Sequence, residues 1–164
     1  MSLPQNSSGH TVSLLGLGSP HGDDAIGWEI IRALKTALPG WGLFYAAETL
    51  ESPWDLLNYL ATDSPTIIID ACRSQRATGS VFEISRNELH TVCGTSSHSG
   101  SLSTVLALAE QLGQLPQELL IIGVEITETQ PGQDLTPAVR AAIPVACDRI
   151  QTQINVWNGV SVHA

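Results

Sequence analysis

Three polar residues that are far apart in this sequence each lie at the border of a segment that should form core structure. Asp24 follows the apolar segment 11–18, Asp70 closes the apolar segment Thr66–Asp70, and His98 lies in a polar turn before an amphipathic pattern. Carboxylate oxygens and imidazole nitrogens suit borderline divalent cations such as zinc, nickel or cobalt. Three protein ligands also leave positions open for water or a substrate group. Brought together, these side chains would form a metal-ion site.

Each of these residues also has a purely structural interpretation. Asp23 as the N-cap of a helix, with Asp24 in its first turn, would stabilise that helix by about 1 kcal/mol with no function attached. Asp70 could hydrogen-bond to the backbone of the turn that follows it, and a histidine in a loop such as His98 is most often solvated. What favours the site is coincidence, because the topology predicted below brings all three residues to the same edge of a sheet.

Other residues are weaker candidates for chemistry. His21 lies in the first loop and could support the site indirectly, Cys72 is expected to be a buried and inert thiol, and Glu125 could project to either face of the last strand. The sequence contains no recognisable Ser or Cys nucleophile motif with a paired base, including the G-x-S-x-G pattern.

The elements that would position these residues alternate between apolar strands and helical patterns, which is typical of a mostly parallel sheet covered by helices on both faces. The predicted strands lie at about 11–18, 42–48, 66–71, 80–85 and 119–126, and the predicted helices at about 24–38, 53–61, 102–112 and 137–154. About eight residues join the third and fourth strands, too few for a helical crossover, so the fourth is predicted to be an antiparallel edge strand. We therefore predict a three-layer α/β/α sandwich whose chemistry lies at the carboxyl ends of its strands.

Prolines and their neighbours mark the helix ends. Ser52 and Thr136 each precede a proline, a pattern of an N-cap followed by proline at the first helical position. Pro144 lies inside the last helix and is expected to kink it, because proline removes one backbone hydrogen bond.

Length, charge and cysteine content limit the class of protein. The 164 residues fit one domain, 1–164, with ends at 1–9 and 157–164 that we expect to be flexible. The net charge of −9, with seven Lys plus Arg and no basic cluster, argues against nucleic acid and against an anionic membrane surface. No apolar run approaches the roughly 20 residues that span a bilayer, and the N-terminus lacks a secretory signal pattern. Three widely spaced cysteines fit a reducing compartment, so we expect a cytoplasmic protein. We also expect it to be a monomer, although no feature of the sequence fixes the oligomeric state.

The glycine pair in Gly16–Gly18 also suggests a dinucleotide-binding loop, but the third glycine of that motif would fall at His21. The helix that would receive the phosphates opens with Asp23–Asp24. A phosphate about 4 Å from a carboxylate costs on the order of 4 kcal/mol, whereas a helix terminus contributes only about 0.3–1 kcal/mol. Repulsion therefore outweighs attraction, although Glu48 could imitate the ribose-binding acid and keeps this alternative open. A simpler use of glycine here is at Gly27, which would let the first helix approach the sheet closely.

Around Asp24, Asp70 and His98 the sequence resembles the hydrogenase maturation proteases. These are the cytoplasmic endopeptidases that trim the C-terminal extension from the large subunit of nickel–iron hydrogenases. The resemblance extends from Leu14 to about Ile150, and its motifs are Gly16–Gly27, the strand ending at Asp70, Ser97–His98, and Ile121–Glu125 followed by Leu135–Pro137. It implies a twisted five-stranded sheet between helices, aspartic-type endopeptidase activity, and the large-subunit precursor as partner.

The resemblance also assigns roles to the three site residues. The metal-binding acid of the family matches Asp24, its second acid matches Asp70 and its histidine matches His98. The alignment to Ala25–Gly27 assigns the first role to Asp24 rather than to Asp23. By this resemblance the three residues act in catalysis and engage the nickel already inserted in the precursor, so that the metal belongs to the substrate and only nickel-loaded precursor is cut. Other divalent ions such as zinc or cadmium could occupy the same site.

Two other functions stay open at this point. The protein could hold its own zinc and hydrolyse a small molecule, or it could be a non-catalytic chaperone of a nickel site. Either carboxylate could serve as the general base in a metal-assisted hydrolysis.

Overall fold

The computed structural model describes residues 11–37, 45–89, 102–127 and 130–159. Within them, the strands are β1 (Val12–Leu17), β2 (Tyr45–Leu50), β3 (Thr66–Cys72), β4 (Val81–Glu83) and β5 (Leu119–Glu125). The α-helices are α1 (Ile26–Ala37), α2 (Leu102–Gln111) and α3 (Pro137–Trp157), and short 3₁₀ helices span Gly22–Ala25, Pro53–Asn58 and Arg86–Glu88.

The five strands form one sheet in the order β2-β1-β3-β5-β4. All neighbouring pairs are parallel except β4 and β5, which are antiparallel at the edge of the sheet. This confirms the predicted mostly parallel sheet with one antiparallel edge strand. From β1 the chain crosses to β2 on one side and returns to β3 on the other, so the strand order reverses between β1 and β3. In open α/β sheets this point, at the carboxyl ends of the strands, is where ligands bind.

Two apolar cores lie on opposite faces of the sheet, as a three-layer sandwich requires. One packs beneath α1 and α3 and includes Ile69 and Ala71 of β3. The other packs beneath α2 and the 3₁₀ helix Pro53–Asn58 and includes Ile68 and Cys72. Because side chains alternate along a strand, Asp70 takes the same face as Ile68 and Cys72, the face that α2 covers.

The departures from the sequence predictions are at element ends. The first helix was predicted from about 24, but Gly22–Ala25 form a 3₁₀ turn and α1 begins at Ile26. The turn opens at Gly22, whose φ of 56° lies in the region that favours glycine. Asp23 is not the N-cap that the structural interpretation supposed, because His21 takes that position and makes no side-chain cap. β2 ends at Leu50 rather than 48, and the predicted helix 53–61 is a shorter 3₁₀ helix.

The predicted N-caps at Ser52 and Thr136 and the position of Pro144 inside the last helix are confirmed. Ser52 is the N-cap of its 3₁₀ helix, and its hydroxyl accepts a hydrogen bond from Trp54 N at 3.3 Å. Thr136 is the N-cap of α3, but its side chain makes no bond to its own helix. The chain stays helical through Pro144 to Trp157. Of the ends expected to be flexible, 1–9 and 160–164 lie outside the described residues, and Trp157 belongs to α3.

Gly27 lets α1 cross the sheet at close range, as the sequence predicted. A Cβ atom added there would collide with the Leu17 carbonyl oxygen and lie 3.2 Å from that of Ile69. Gly16 faces it from β1, and a Cβ there would lie 2.6 Å from the Gly27 carbonyl oxygen. The two glycines therefore set the distance between the start of α1 and the ends of β1 and β3.

We expect Gly27→Ala to lower the free energy of unfolding by about 2 kcal/mol, because relieving the collision requires a shift of backbone. Alanine is intrinsically better than glycine inside a helix by about 1 kcal/mol, so a net loss reports the collision. Urea unfolding measures the change, with Lys35→Ala on the exposed side of α1 as the control. Equal stability of Gly27→Ala and the wild type would contradict the close approach.

Candidate active site at the carboxyl edge of the sheet

Asp70 lies near the end of β3, immediately after three fully buried isoleucines. The residue keeps a small exposed fraction, but protein encloses its carboxyl group, and this burial raises its pKa from 3.8 to about 8. The negative charge of Asp24 also raises the pKa, and a hydrogen bond from the Ala71 backbone opposes the shift. The structure therefore brings Asp70 and Asp24 into electrostatic contact, although 46 positions separate them in the sequence.

Asp24 is held by the turn that joins β1 to α1. Its Oδ2 atom accepts a hydrogen bond of 2.5 Å from the Ser19 hydroxyl, and its backbone carbonyl accepts one from Ser19 N at 3.3 Å. A Cβ atom at Gly18 would lie 2.6 Å from that same carbonyl oxygen. The tight turn thus fixes one carboxylate oxygen of Asp24. Ser19 is a positioning residue that the sequence reasoning missed, although it lies inside the glycine motif Gly16–Gly27.

Asp23 has a different task from its neighbour. Its side chain is fully buried and accepts two hydrogen bonds from Thr136, one from the backbone N–H at 2.7 Å and one from the hydroxyl at 3.0 Å. It thereby ties the active-site turn to the N-terminus of α3, where a negative charge is favourable. Because both oxygens of Asp23 have partners, the contacts favour Asp24 as the ligand.

The two neighbouring aspartates should differ sharply when each is truncated. We expect Asp23→Ala to lower the free energy of unfolding by about 2 kcal/mol, because it removes a buried acceptor and leaves the Thr136 N–H, in a half-buried residue, without that partner. At about pH 9, where Asp70 is ionised, we expect Asp24→Ala to change it by less than about 1 kcal/mol, since the lost bond to Ser19 is offset by relief of the repulsion from Asp70. Urea unfolding of the two variants tests this, and equal losses would contradict the division of roles.

Glu125 is a buried carboxylate at the end of β5, and the sequence could not assign its face. It accepts hydrogen bonds from Ser74 N at 2.8 and 3.0 Å, from the Ser74 hydroxyl at 2.6 Å and from Gln75 N at 3.0 Å. Gln75 has a φ of 68°, in the left-handed region. Glu125 pairs in register with Cys72 of β3. It therefore anchors the turn that leaves β3 just beyond Asp70.

The same turn carries a cation that stacks on an aromatic ring. Arg76 donates a hydrogen bond of 2.8 Å to the Ser74 hydroxyl, and its guanidinium lies 3.8 Å from the centre of the Phe82 ring. The Phe82 ring packs against the backbone of Gly123, because a Cβ atom added to Gly123 would lie 2.9 Å from the ring. Gly123 is the register partner of Asp70, so this packing borders the site.

The remaining predicted residues fall into two groups. Cys72 is buried, as predicted, and its thiol lies 3.8 Å from the Asp70 carbonyl oxygen. His21 and Glu48 are exposed. His98 and its turn lie outside the described residues. In the part of the chain that the structure describes, no three His, Cys, Asp or Glu side chains are grouped as a metal site, and none of its helices combines the length and apolar character needed to cross a membrane.

Comparison with known proteins gives a consistent result. The family model for hydrogenase maturation proteases matches residues 51–153. The hydrogenase 2 maturation protease of Escherichia coli K12 is 30% identical over 133 residues, which cover 78% of this chain and 80% of that protein.

Solved structures agree with this match. An endopeptidase from E. coli superimposes with a TM-score of 0.76 at 26% identity, covering 88% of this chain and 93% of the other. The hydrogenase maturating endopeptidase HybD from E. coli superimposes with a TM-score of 0.71 at 27% identity, covering 88% and 92%. A nickel–iron hydrogenase maturation protease from Thermococcus kodakarensis, 23% identical, shares the fold with a TM-score of 0.65 over 88% and 99% of the two chains.

Proposed function

Because the chain belongs to the hydrogenase maturation protease family, we propose that it is the endopeptidase that removes the C-terminal extension of a nickel–iron hydrogenase large-subunit precursor. The observation that carries this proposal is the pair of carboxylates, Asp24 and Asp70, at the point where the strand order of the sheet reverses. This is the position at which an open α/β sheet binds its ligand.

We further propose that Asp24, Asp70 and His98 together complete the coordination of nickel carried by the precursor. Two carboxylates in mutual repulsion, one of them buried, gain most from a divalent cation, because it removes the repulsion and compensates the burial. The ion pairs Arg32–Glu29 and Arg86–Glu110 involve neither aspartate. The cation that the two carboxylates favour would be the nickel of the precursor, which arrives with the substrate.

The chemistry that follows is metal-assisted hydrolysis of the peptide bond. A cation held between the precursor and this protein would lie beside the scissile carbonyl or beside an attacking water, polarising the one or activating the other. The Ser19 hydroxyl fixes one oxygen of Asp24. Asp70, with a pKa of about 8, is largely protonated at neutral pH in the free protein. Binding the cation would therefore release a proton, so affinity for the nickel-loaded precursor should rise with pH.

The direct test is mass spectrometry of the large-subunit precursor after incubation with this protein, with and without nickel in the precursor. We expect loss of the extension only from the nickel-loaded form, and no loss with Asp24→Asn or His98→Ala. Asp63→Asn, an exposed acid elsewhere, is the control and should process normally. Full activity in both site variants would contradict the assignment.

The two functions left open by the sequence give different results in the same experiment. A chaperone of the nickel site would bind the precursor and leave its mass unchanged. A hydrolase of small molecules that holds its own zinc would carry stoichiometric metal after purification and would also leave the precursor intact.

A further inference from the structure

A cleft of about 330 Å³ lies beside the turn that carries Asp24. Gly22 and Ala25, on either side of Asp24 in the chain, both line it. Trp28 of α1 forms an apolar part of its wall, and the indole N–H of that residue is fixed by a 3.0 Å hydrogen bond to the Leu50 carbonyl oxygen. The loop residue Leu135, next to the Asp23 partner Thr136, lines the cleft as well. The cleft and the acid at the active site are therefore built from the same short turn.

The distribution of charge around this cleft is unusual for this protein. The whole chain has only seven Lys plus Arg against 16 Asp plus Glu, yet two of its arginines, Arg32 and Arg140, line this one cleft. Two acids, Glu29 and Asp134, line it as well. The two cations balance the two acids, so a ligand with a negative group meets less repulsion here than elsewhere on a protein of net charge −9.

Arg140 is the cation in the cleft that is available to a ligand. Arg32 is paired with Glu29, whereas no carboxylate among residues 11–37, 45–89, 102–127 and 130–159 forms an ion pair with Arg140. Arg140 is exposed and lies in the first turn of α3, where the helix dipole disfavours a positive charge. The stability of the helix therefore gives no reason for an arginine at this position.

We propose that this cleft is a substrate subsite in which Arg140 binds a carboxylate of the precursor's C-terminal extension. The proposal rests on the proposed function, since it concerns the peptide that the enzyme removes. A guanidinium matches a carboxylate with two parallel hydrogen bonds, and the wall formed by Trp28 and Leu135 suits the apolar part of the neighbouring peptide. The carboxylate belongs either to an acidic side chain of the extension or to its terminal residue.

The test is the steady-state kinetics of processing with Arg140→Gln. We expect KM for the nickel-loaded precursor to rise about tenfold with kcat changed by less than about twofold, because the contact is made equally in the ground state and the transition state. Glutamine is a good helix former, and the melting temperature verifies the fold. Arg149→Gln, an exposed arginine further along α3, is the matched control and should leave both constants unchanged.

Two altered precursors identify the source of the carboxylate. One has an amidated C-terminus, and the other has the acidic side chains of its extension replaced by amides. We expect one of them to raise the KM of the wild-type enzyme to the Arg140→Gln level, with no further rise when both changes are combined. If the wild type processes the precursor and Arg140→Gln has the same KM, the subsite is overturned but the proposed function is not. Additive increases in KM from the two altered precursors would also overturn the subsite. If the wild type does not process the precursor at all, the proposed function itself is overturned.

Discussion

Asp70→Asn is expected to abolish processing of the precursor and, at the same time, to make the free protein more stable at neutral and alkaline pH. Burial and the neighbouring charge of Asp24 raise the pKa of Asp70 from 3.8 to about 8 in the folded protein. Below about pH 3 the carboxyl is protonated in both the folded and the unfolded chain. As the pH rises towards 8, the unfolded chain loses this proton and the folded chain keeps it, so the free energy of unfolding falls. Asparagine has no proton to lose and avoids that fall.

The size of the effect can be measured by urea unfolding at several pH values. We expect wild type and Asp70→Asn to be nearly equal at pH 3, and the variant to be more stable by on the order of 5 kcal/mol at pH 8. The control Asp63→Asn replaces an exposed acid and should show no such divergence. On nickel-loaded precursor, Asp70→Asn should be slower by at least about 100-fold, the usual contribution of a group that acts on the reacting atoms. A stability difference independent of pH would contradict the burial of Asp70 against Asp24.

This pairing of lost activity with gained stability separates Asp70 from the other buried acids. Asp23 and Glu125 are also buried, but hydrogen-bond donors surround both carboxylates. Such carboxylates stabilise the fold that they hold together. Asp70 instead destabilises the free protein when it is charged, and a buried acid of this kind is typical of a ligand site.

Much of the fold follows from local features of the sequence. The run of isoleucines before Asp70 predicts a buried central strand, and it is β3. The short connection after it predicts an antiparallel edge strand, and β4 is antiparallel to its neighbour β5 at the edge of the sheet. The apolar spacing of α1 places Ile30 and Leu34 in the core. These features depend on residues near one another in the chain, and a local pattern can therefore predict them.

Contacts between distant segments could not be predicted in the same way. Asp23 looked like an ordinary N-cap residue, but its partner Thr136 lies 113 positions further along the chain. Glu125 and Ser74 are 51 positions apart. An aspartate can cap a helix or hydrogen-bond to a distant segment, so the sequence alone does not show which of these two roles Asp23 has. Only the packing of α1 and α3 on one face of the sheet decides it.

Glu125→Ala is expected to be the most destabilising of these substitutions, lowering the free energy of unfolding by about 4 kcal/mol. The change leaves the N–H groups of Ser74 and Gln75 and the Ser74 hydroxyl without their acceptor, a buried carboxylate, and hydrogen bonds to a charged group contribute about 1.5–3 kcal/mol each. The turn also holds Gln75 at a positive φ, a conformation that persists only when its surroundings enforce it. The isosteric Glu125→Gln keeps one acceptor oxygen and should lose about half as much.

Urea unfolding of both variants checks this ranking, with Glu83→Ala as the control because Glu83 is an exposed glutamate on the neighbouring strand. Since the anchored turn begins just beyond Asp70, we also expect Glu125→Gln to process precursor more slowly under conditions where it remains folded. Lowering the temperature should restore the folded fraction of this variant without restoring the full rate, because the turn has lost part of its anchor even in the folded protein. A Glu125→Gln protein with wild-type stability and rate would show that the turn keeps its conformation without the carboxylate.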